Sequence, residues 1–256
     1  MIVAGVDIGA STAKAVLLED THILGYSIIA TGAESANSAR QALNQALMRA
    51  GLSLAQIGYI VATGYGRVIV PFAQETVTEL TCHARGANWL FPSARTVINL
   101  GAESSRVISL SDNGRVQSFA TNDKCAAGSG LFLESMAYLI GVPVAEMGEL
   151  ALAAETAEEV SSRCAVFAES EVISHIHRGV AKGRILAGLH RAVADRILDL
   201  ASRVVIRPEV VITGGVAKNP AIIKELEAKL GLTVHLPPEP QMVGALGAAL
   251  LAGDQL

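Results

Sequence analysis

The apolar positions of this chain fall into two alternating patterns. Residues 2–8 (IVAGVDI), 14–18 (KAVLL) and 23–30 (ILGYSIIA) are short, β-branched-rich runs separated by glycine and polar turns, which predicts strands. Residues 35–51 read as a helix that closes on Gly51. A strand is predicted at 57–62 and helical spacing returns over 75–90. The cycle then repeats, with strands at 96–100, 106–110 and 115–120 and helices at about 126–140, 145–154, 165–178 and 183–206. A strand at 209–213, a helix at about 220–230, a strand at 232–236 and a helix at about 240–252 complete the chain. Two clusters of strands, each followed by helices, predict two α/β domains with a tight seam near residues 91–95.

The strongest organisational signal is internal. GVDIGASTAKAVLL (5–18) aligns without gaps on VINLGAESSRVISL (97–110). Asp7 faces Asn99, Gly9 faces Gly101, Ala10 faces Ala102 and Lys14 faces Arg106. Each copy is strand, small-residue turn, strand, so half of the fold reads as a duplicate of the other.

Such turns carry chemistry. Around Gly9, Ala10, Ser11 and Thr12 the small residues let backbone N–H groups approach an anion, and the hydroxyls add donors. Asp7, at the strand end, is placed to hold Mg²⁺ through water. The second copy, at Gly101, Ala102 and Glu103, makes a pair that could grip one polyphosphate from two sides. A third glycine site, VVITGGVAKNP (210–220), is a buried strand, a Gly214-Gly215 turn followed by Lys218, then a helix with Asn219 as N-cap and Pro220 at its first position. For Lys14 and Arg106 two readings stay open: closing their own hairpins by ion pairing, or touching phosphate.

Composition narrows the partners. The 256 residues are 51% hydrophobic, with 20 Lys+Arg against 24 Asp+Glu for a net charge of −4 and no basic block, so the field that draws proteins onto nucleic acid is missing. No apolar run approaches the ~18–20 residues of a membrane span. MIVAGVDIGAS lacks a basic stretch before its apolar run and reads as a strand, not a signal peptide. Three cysteines make no disulfide framework, so a cytoplasmic, reducing setting is expected and a cysteine with a task is a ligand or redox group.

These paired hairpins and the Gly-Gly turn resemble the superfamily of acetate kinase, sugar kinases, actin and chaperone ATPases. The whole chain further resembles one branch, the activator ATPases of 2-hydroxyacyl-CoA dehydratases and the ATP-hydrolysing subunits of benzoyl-CoA reductases. The segments that carry this are VDIGASTAK (6–14), ATGYGR (62–67), TELTCHARGA (78–87), NDKCAAGSGLFLE (122–134), CAVFAESEVIS (164–174), VITGGVAKNP (211–220) and GALGAAL (244–250). The resemblance implies an α/β fold of two duplicated ribonuclease H-like domains of the actin-like ATPase superfamily with a nucleotide cleft between them. Residues 1–92 would form the first domain and 93–239 the second, with the C-terminal helix at about 240–256 packing back on the first. ATP or ADP with Mg²⁺ would be held by Gly9, Ala10, Ser11, Thr12, Lys14, Gly101, Ala102, Gly128, Gly214, Gly215 and Lys218, with Asp7 and Glu103 as the catalytic pair.

Cys125 and Cys164 each precede an apolar helical stretch, and a helix N-terminus stabilises a thiolate. They lie 39 residues apart, which fits no zinc pattern, and two ligands are too few for a closed four-cysteine site. A twofold dimer would complete the count; a pair of small buried thiols is the alternative. The resemblance implies the dimer, with one [4Fe–4S] cluster shared by two chains. It also implies an iron–sulfur acceptor (a dehydratase or reductase component), a ferredoxin or flavodoxin donor, and ATP-driven transfer of single low-potential electrons. Cys82 reads as a buried small hydrophobe in its helix, and His175 and His177, two apart, cannot face one metal from a regular helix. Glu134, Glu169 and Glu171 read as helix-surface charges.

One segment departs from the related activators, which carry Asp-Ile-Gly-Gly-Gln-Asp where this chain has Asn99-Leu100-Gly101-Ala102-Glu103-Ser104. In the family the residue matching Glu103 lies near the γ-phosphate, where a Glu could position water or act as base. The departure motivates one alternative, a weakly hydrolysing nucleotide-binding subunit; a small-molecule kinase of the superfamily is the other.

Overall fold

A computed structural model describes residues 1–122 and 129–256. The first sheet contains β1 (Ile2–Ile8), β2 (Thr12–Glu19), β3 (His22–Ala30), β4 (Ile57–Gly64) and β5 (Glu75–Thr76), in the order β3-β2-β1-β4-β5. The second contains β6 (Thr96–Leu100), β7 (Ser105–Leu110), β8 (Val116–Asn122), β9 (Val210–Thr213) and β10 (Val234–His235), in the order β8-β7-β6-β9-β10. The two orders are the same. In each, an antiparallel meander of three strands is extended by two parallel strands on the far side of the first.

The duplication extends to single residues. Asp7 lies opposite Lys14 in the first hairpin and Asn99 opposite Arg106 in the second. On the parallel side Asp7 pairs with Thr63, and Asn99 with Thr213. The next residue, Gly64 in one copy and Gly214 in the other, has φ +92 in both. A Cβ would sit 2.4 Å from the Ile8 carbonyl oxygen at Gly64 and 2.2 Å from that of Leu100 at Gly214, so both turns exclude a side chain for two independent reasons.

Helices cover these sheets according to their apolar faces. α1 (Ser35–Ala50) lays Ala39, Ala42, Leu43 and Leu47 on Ala4, Val6 and Ile8 of the first sheet. The opposite face, through Val3, Val16, Leu18 and Val61, meets α8 (Val243–Gly253), which is almost wholly buried. Its GALGAALLA sequence is apolar all round, as a helix packed on every side requires. α2 (Glu79–Leu90) crosses α8 and turns Ala84 and Ala87 onto Val97, Ile108 and Leu110 of the second sheet. The helices pass so closely that a Cβ on Gly247 would lie 1.8 Å from the Cys82 carbonyl oxygen. The other face of the second sheet joins a core shared by α3 (Gly130–Ile140), α4 (Met147–Leu152), α5 (Ala165–His177), α6 (Lys182–Ala201) and α7 (Pro220–Leu230).

Four boundaries shift from the sequence expectation. Residues 75–76 pair with β4, so α2 starts at Glu79 with the Thr78 hydroxyl as its cap. α3 starts at Gly130, capped by Ser129, whose Oγ accepts from the Phe132 N–H at 3.4 Å. The helix expected at 145–154 divides into a 3₁₀ turn at Val144–Glu146 and the short α4. α6 ends at Ala201 because the Val204-Val205-Ile206 run disfavours helix and Pro208 follows. Asn219 caps α7 as its sequence predicts, accepting from the N–H groups of Ala221 and Ile222, with Pro220 opening the helix. No single helix is long and apolar enough to cross a membrane among the described residues.

Candidate active site

The two hairpins and the Gly214-Gly215 turn open onto one cleft of about 530 Å³. Asp7, Gly9, Ala10, Ser11, Thr12 and Lys14 line it from the first hairpin, and Gly101, Ala102 and Glu103 from the second. Gly214, Gly215 and Lys218 line the end beyond β9. The structure thus brings together every described residue that the sequence assigned to nucleotide. Gly128 and Cys125 lie outside the described residues. Cys164 is elsewhere, at the start of α5.

Both hairpin turns close in the same way. The Gly9 N–H donates to the Thr12 carbonyl at 3.0 Å, and the Gly101 N–H to that of Ser104 at 2.9 Å. These two amides are therefore occupied by the turns themselves. The next ones, on Ala10, Ser11, Ala102 and Glu103, meet no protein acceptor among the described residues and line the cleft. The turns offer an anion two backbone nests, one from each copy.

The floor between them is charged and buried. Lys14 Nζ lies 3.2 Å from Asp7 Oδ2, with both side chains almost fully enclosed. This is the ion pair within the hairpin left open by the sequence. The second copy does not repeat it: with neutral Asn99 opposite, Arg106 gives Asn99 Oδ1 a single hydrogen bond of 3.3 Å and turns its Nη2 to Glu79 Oε2 at 2.6 Å. Asn99 Nδ2 donates to Thr213 Oγ1 at 3.1 Å, and Thr213 lies 3.2 Å from His83 Nδ1. A polar chain thus runs from α2 through β7, β6 and β9 and back to α2.

Burial shapes the protonation of these groups. It raises the Glu79 carboxyl above its ordinary value, opposed by the Arg106 charge. It lowers His83 to about 4 and also lowers His190, so both imidazoles are neutral at pH 7. His190 is satisfied in that state: Nδ1 donates to the Leu186 carbonyl at 2.6 Å, and Nε2 accepts from Asn219 Nδ2 at 2.9 Å. Because the unfolded chain protonates histidine near pH 6.5 and the folded chain does not, stability is complete above that pH and falls as pH drops toward 4. His83 alone accounts for about 3 kcal/mol of that loss, with Glu79, whose carboxyl is raised, acting in the opposite sense as pH falls toward its ordinary value. Urea midpoints between pH 7 and 5 are expected to fall in the native protein and to fall less steeply in His83→Gln.

Glu79 and His83 were not singled out for the cleft by sequence. One signal was there to be read: ATGYG (62–66) and ITGGV (212–216) are the same Thr-Gly turn in the two copies. Its Thr213 leads to His83, and the glycine of the first copy, Gly64, would touch Asp7 Oδ1 if it carried a Cβ. Cys82, held to be a core residue, is buried, and burial pushes its thiol up to about 12, which keeps it inert.

Cys164 is the N-cap residue of α5, in extended backbone, and its carbonyl accepts from the Ala168 N–H at 3.0 Å. Val166 and Phe167 in the first turn are 67% and 64% exposed. The loop before Cys164 is pinned from α5 itself. Glu171 accepts from the Ser161 N–H at 2.6 Å, and His175 Nε2 donates to the Glu159 carbonyl at 2.9 Å. Glu171 is thus more than a surface charge, whereas Glu169 and His177 are exposed and Glu134 is exposed at the cleft lip.

A duplicated α/β fold with a phosphate-type cleft between its two hairpins is the architecture of actin-like ATPases and sugar kinases. A ROK-family glucokinase from Streptomyces griseus shares it over 99% of this chain and 100% of its own, with a TM-score of 0.59 at 16% identity, a likeness of fold alone. The chain belongs to the BadF/BadG/BcrA/BcrD ATPase family, which it matches over residues 4–252. It is similar to the activator of lactoyl-CoA dehydratase from Anaerotignum propionicum, with 43% identity over 98% of this chain and 97% of that protein. It is also similar to the activator of the 2-hydroxyisocaproyl-CoA dehydratase from Clostridium difficile, a structure with bound ADPNP, at a TM-score of 0.95 and 39% identity over 100% of this chain and 95% of that one.

Proposed function

We propose that this protein is an ATP-driven electron donor, an activator that couples ATP hydrolysis to single-electron transfer onto an iron–sulfur enzyme acting on acyl-CoA substrates. ATP occupies the cleft. The amides of Ala10, Ser11, Ala102 and Glu103 hold its phosphates, and Gly214 and Gly215 accept the remainder against bare backbone. Asp7, braced by Lys14, would hold Mg²⁺ through its water shell, and Glu103 at the turn of the second hairpin orients the attacking water. Relatives that are named activators of 2-hydroxyacyl-CoA dehydratases support the acceptor class.

The observation that carries the coupling is a direct link out of the cleft. The Gly130 and Leu131 N–H groups donate to the Gly101 and Ala102 carbonyls at 3.0 and 2.9 Å, tying the second hairpin to the N-terminus of α3. In the sequence that terminus follows Cys125 by five residues. A hairpin that shifts around a phosphate therefore moves the start of α3.

A [4Fe–4S] cluster would be held by Cys125 and Cys164 of two copies. Cys164 opens a helix beside the exposed apolar Val166 and Phe167, a position that supports a site shared with a second copy. When bound, the cluster would supply a one-electron carrier; the chain would supply thiolates, that of Cys164 at a helix N-terminus whose N–H groups stabilise negative charge. A ferredoxin or flavodoxin is the expected donor.

The test is anaerobic electron transfer from the reduced, reconstituted protein to a purified 2-hydroxyacyl-CoA dehydratase. Transfer is expected with MgATP and not with MgADP. Equal transfer with both nucleotides, or phosphorylation of a small acid or sugar in its place, would overturn the assignment.

A further inference from the structure

We infer that Arg106 is a phosphate-contacting residue of this cleft and that Glu79, one turn into neither hairpin but at the head of α2, is the positioning residue that aims it. The inference rests on the reading of the cleft as an ATP site.

The two hairpins make an internal comparison. Lys14 and Arg106 occupy equivalent positions, each opposite the last polar residue of the preceding strand. In the first copy the charge is answered within the hairpin, by Asp7. In the second, Asn99 carries no charge and accepts one N–H, so the hairpin leaves the charge of the guanidinium unanswered. Glu79 answers it through Nη2. A guanidinium has five N–H donors in a planar fork, and these two contacts use two of them. The others meet no protein acceptor among the described residues, and Arg106 lines the cleft. The side chain is only 12% exposed, so a phosphate meeting it does so with little competing water.

Placement indicates which phosphate. Asp7 Oδ2 and His83 Nε2 lie 3.0 and 3.1 Å from one point, where a Cβ on Gly244 would sit, and Glu79 stands one turn before His83 in α2, so the Glu79–Arg106 pair lies toward the floor of the first hairpin. The Gly214-Gly215 turn leads away from there, with Gly214 beside Asn99 and Gly215 beside Gln241. With the rest of the nucleotide on that turn, as proposed above, a phosphate between the two hairpins is the last of the chain. Glu79 is well suited to aim the fork. It stands at the first position of a helix wedged between α8 and the second sheet, so its carboxylate has a fixed origin. Lysine could not take this role, since a point charge keeps no planar orientation.

Binding of MgADPNP and MgADP to the full-length protein, by calorimetry, separates the outcomes. Arg106→Lys is expected to weaken ADPNP about tenfold or more while ADP changes less than about threefold. Glu79→Gln is expected to lower kcat for ATP about tenfold with little change in KM, and Glu79→Asp to recover part of it. The double variant should be no slower than Arg106→Lys alone, because the two residues act as one unit. Equal weakening of both nucleotides by Arg106→Lys, or additive losses in the double variant, overturns the inference while leaving the ATP site intact. Failure of the native protein to bind either nucleotide overturns both.

Discussion

Asp7→Asn is expected to reduce ATP hydrolysis at least about 100-fold while leaving the fold and ADP binding largely in place, the scale of loss seen when a preorganised charge is taken from a reacting centre. The side chain is 6% exposed, lies 3.2 Å from Lys14 and stands at the end of the strand that delivers the first hairpin. Asparagine keeps the shape and removes the charge. On the proposed reading the Mg²⁺ shell then loses its anchor, and Lys14 loses its counter-charge. Single-turnover hydrolysis under saturating MgATP reads the effect. A rate within about threefold of native would remove Asp7 from the chemistry.

The largest expected effect on stability is at Gly247. A Cβ there would lie 1.8 Å from the Cys82 carbonyl oxygen and 2.6 Å from its carbon, so Gly247→Ala must push α8 and α2 apart. Neither neighbour is a flexible side-chain end, and α8 is packed on its other side against β1, where Gly5 also meets the helix backbone. Overpacking without room to relax costs about 3 kcal/mol or more, which lowers Tm by roughly 6–12 °C for a chain of this size. Gly253→Ala in the same helix meets nothing within 4 Å and should leave Tm nearly unchanged. A Gly247→Ala protein as stable as its Gly253→Ala control would mean that the two helices do not cross where they are placed.

Much of this was legible in the residues. The gapless match of 5–18 with 97–110 anticipated two hairpins that superpose down to the Asp7–Lys14 and Asn99–Arg106 registers. Small-residue turns and the Asn219-Pro220 cap carry their conformations locally, so a short segment suffices to recognise them. What sequence did not disclose depends on long-range packing. Glu79 reaches Arg106 from a different element, and nothing in TELTCHARGA says that its second residue faces a hairpin 27 positions away. The amide of Gly9 looked available to an anion, but closing the turn consumes it, and Ala10 and Ser11 present theirs instead. The role of GALGAAL as a helix squeezed between α2 and the first sheet required both neighbours to be in place. Glu171 read as solvated because its partner, the Ser161 amide, lies ten residues back in an irregular loop.

The departure of the second hairpin from Asp-Ile-Gly-Gly-Gln-Asp acquires a physical meaning in this arrangement. Asn99 is not an empty substitute: it bridges Arg106 to Thr213, and through Thr213 to His83. Loss of the carboxylate at 99 frees the arginine for Glu79. The cleft keeps its charges in a redistributed form, with Asp7 buried in the first copy and the half-buried Glu79 answering the arginine of the second.

The claim on which the proposed function turns is that two copies of this chain share one inorganic centre, and iron per dimer measures it. Anaerobically purified, reconstituted protein should be a dimer holding about four iron atoms per two chains, and Cys164→Ser should remove them while nucleotide binding persists. A dimer that stays free of iron after reconstitution, a fully loaded monomer, or an unchanged chromophore in Cys164→Ser would contradict it.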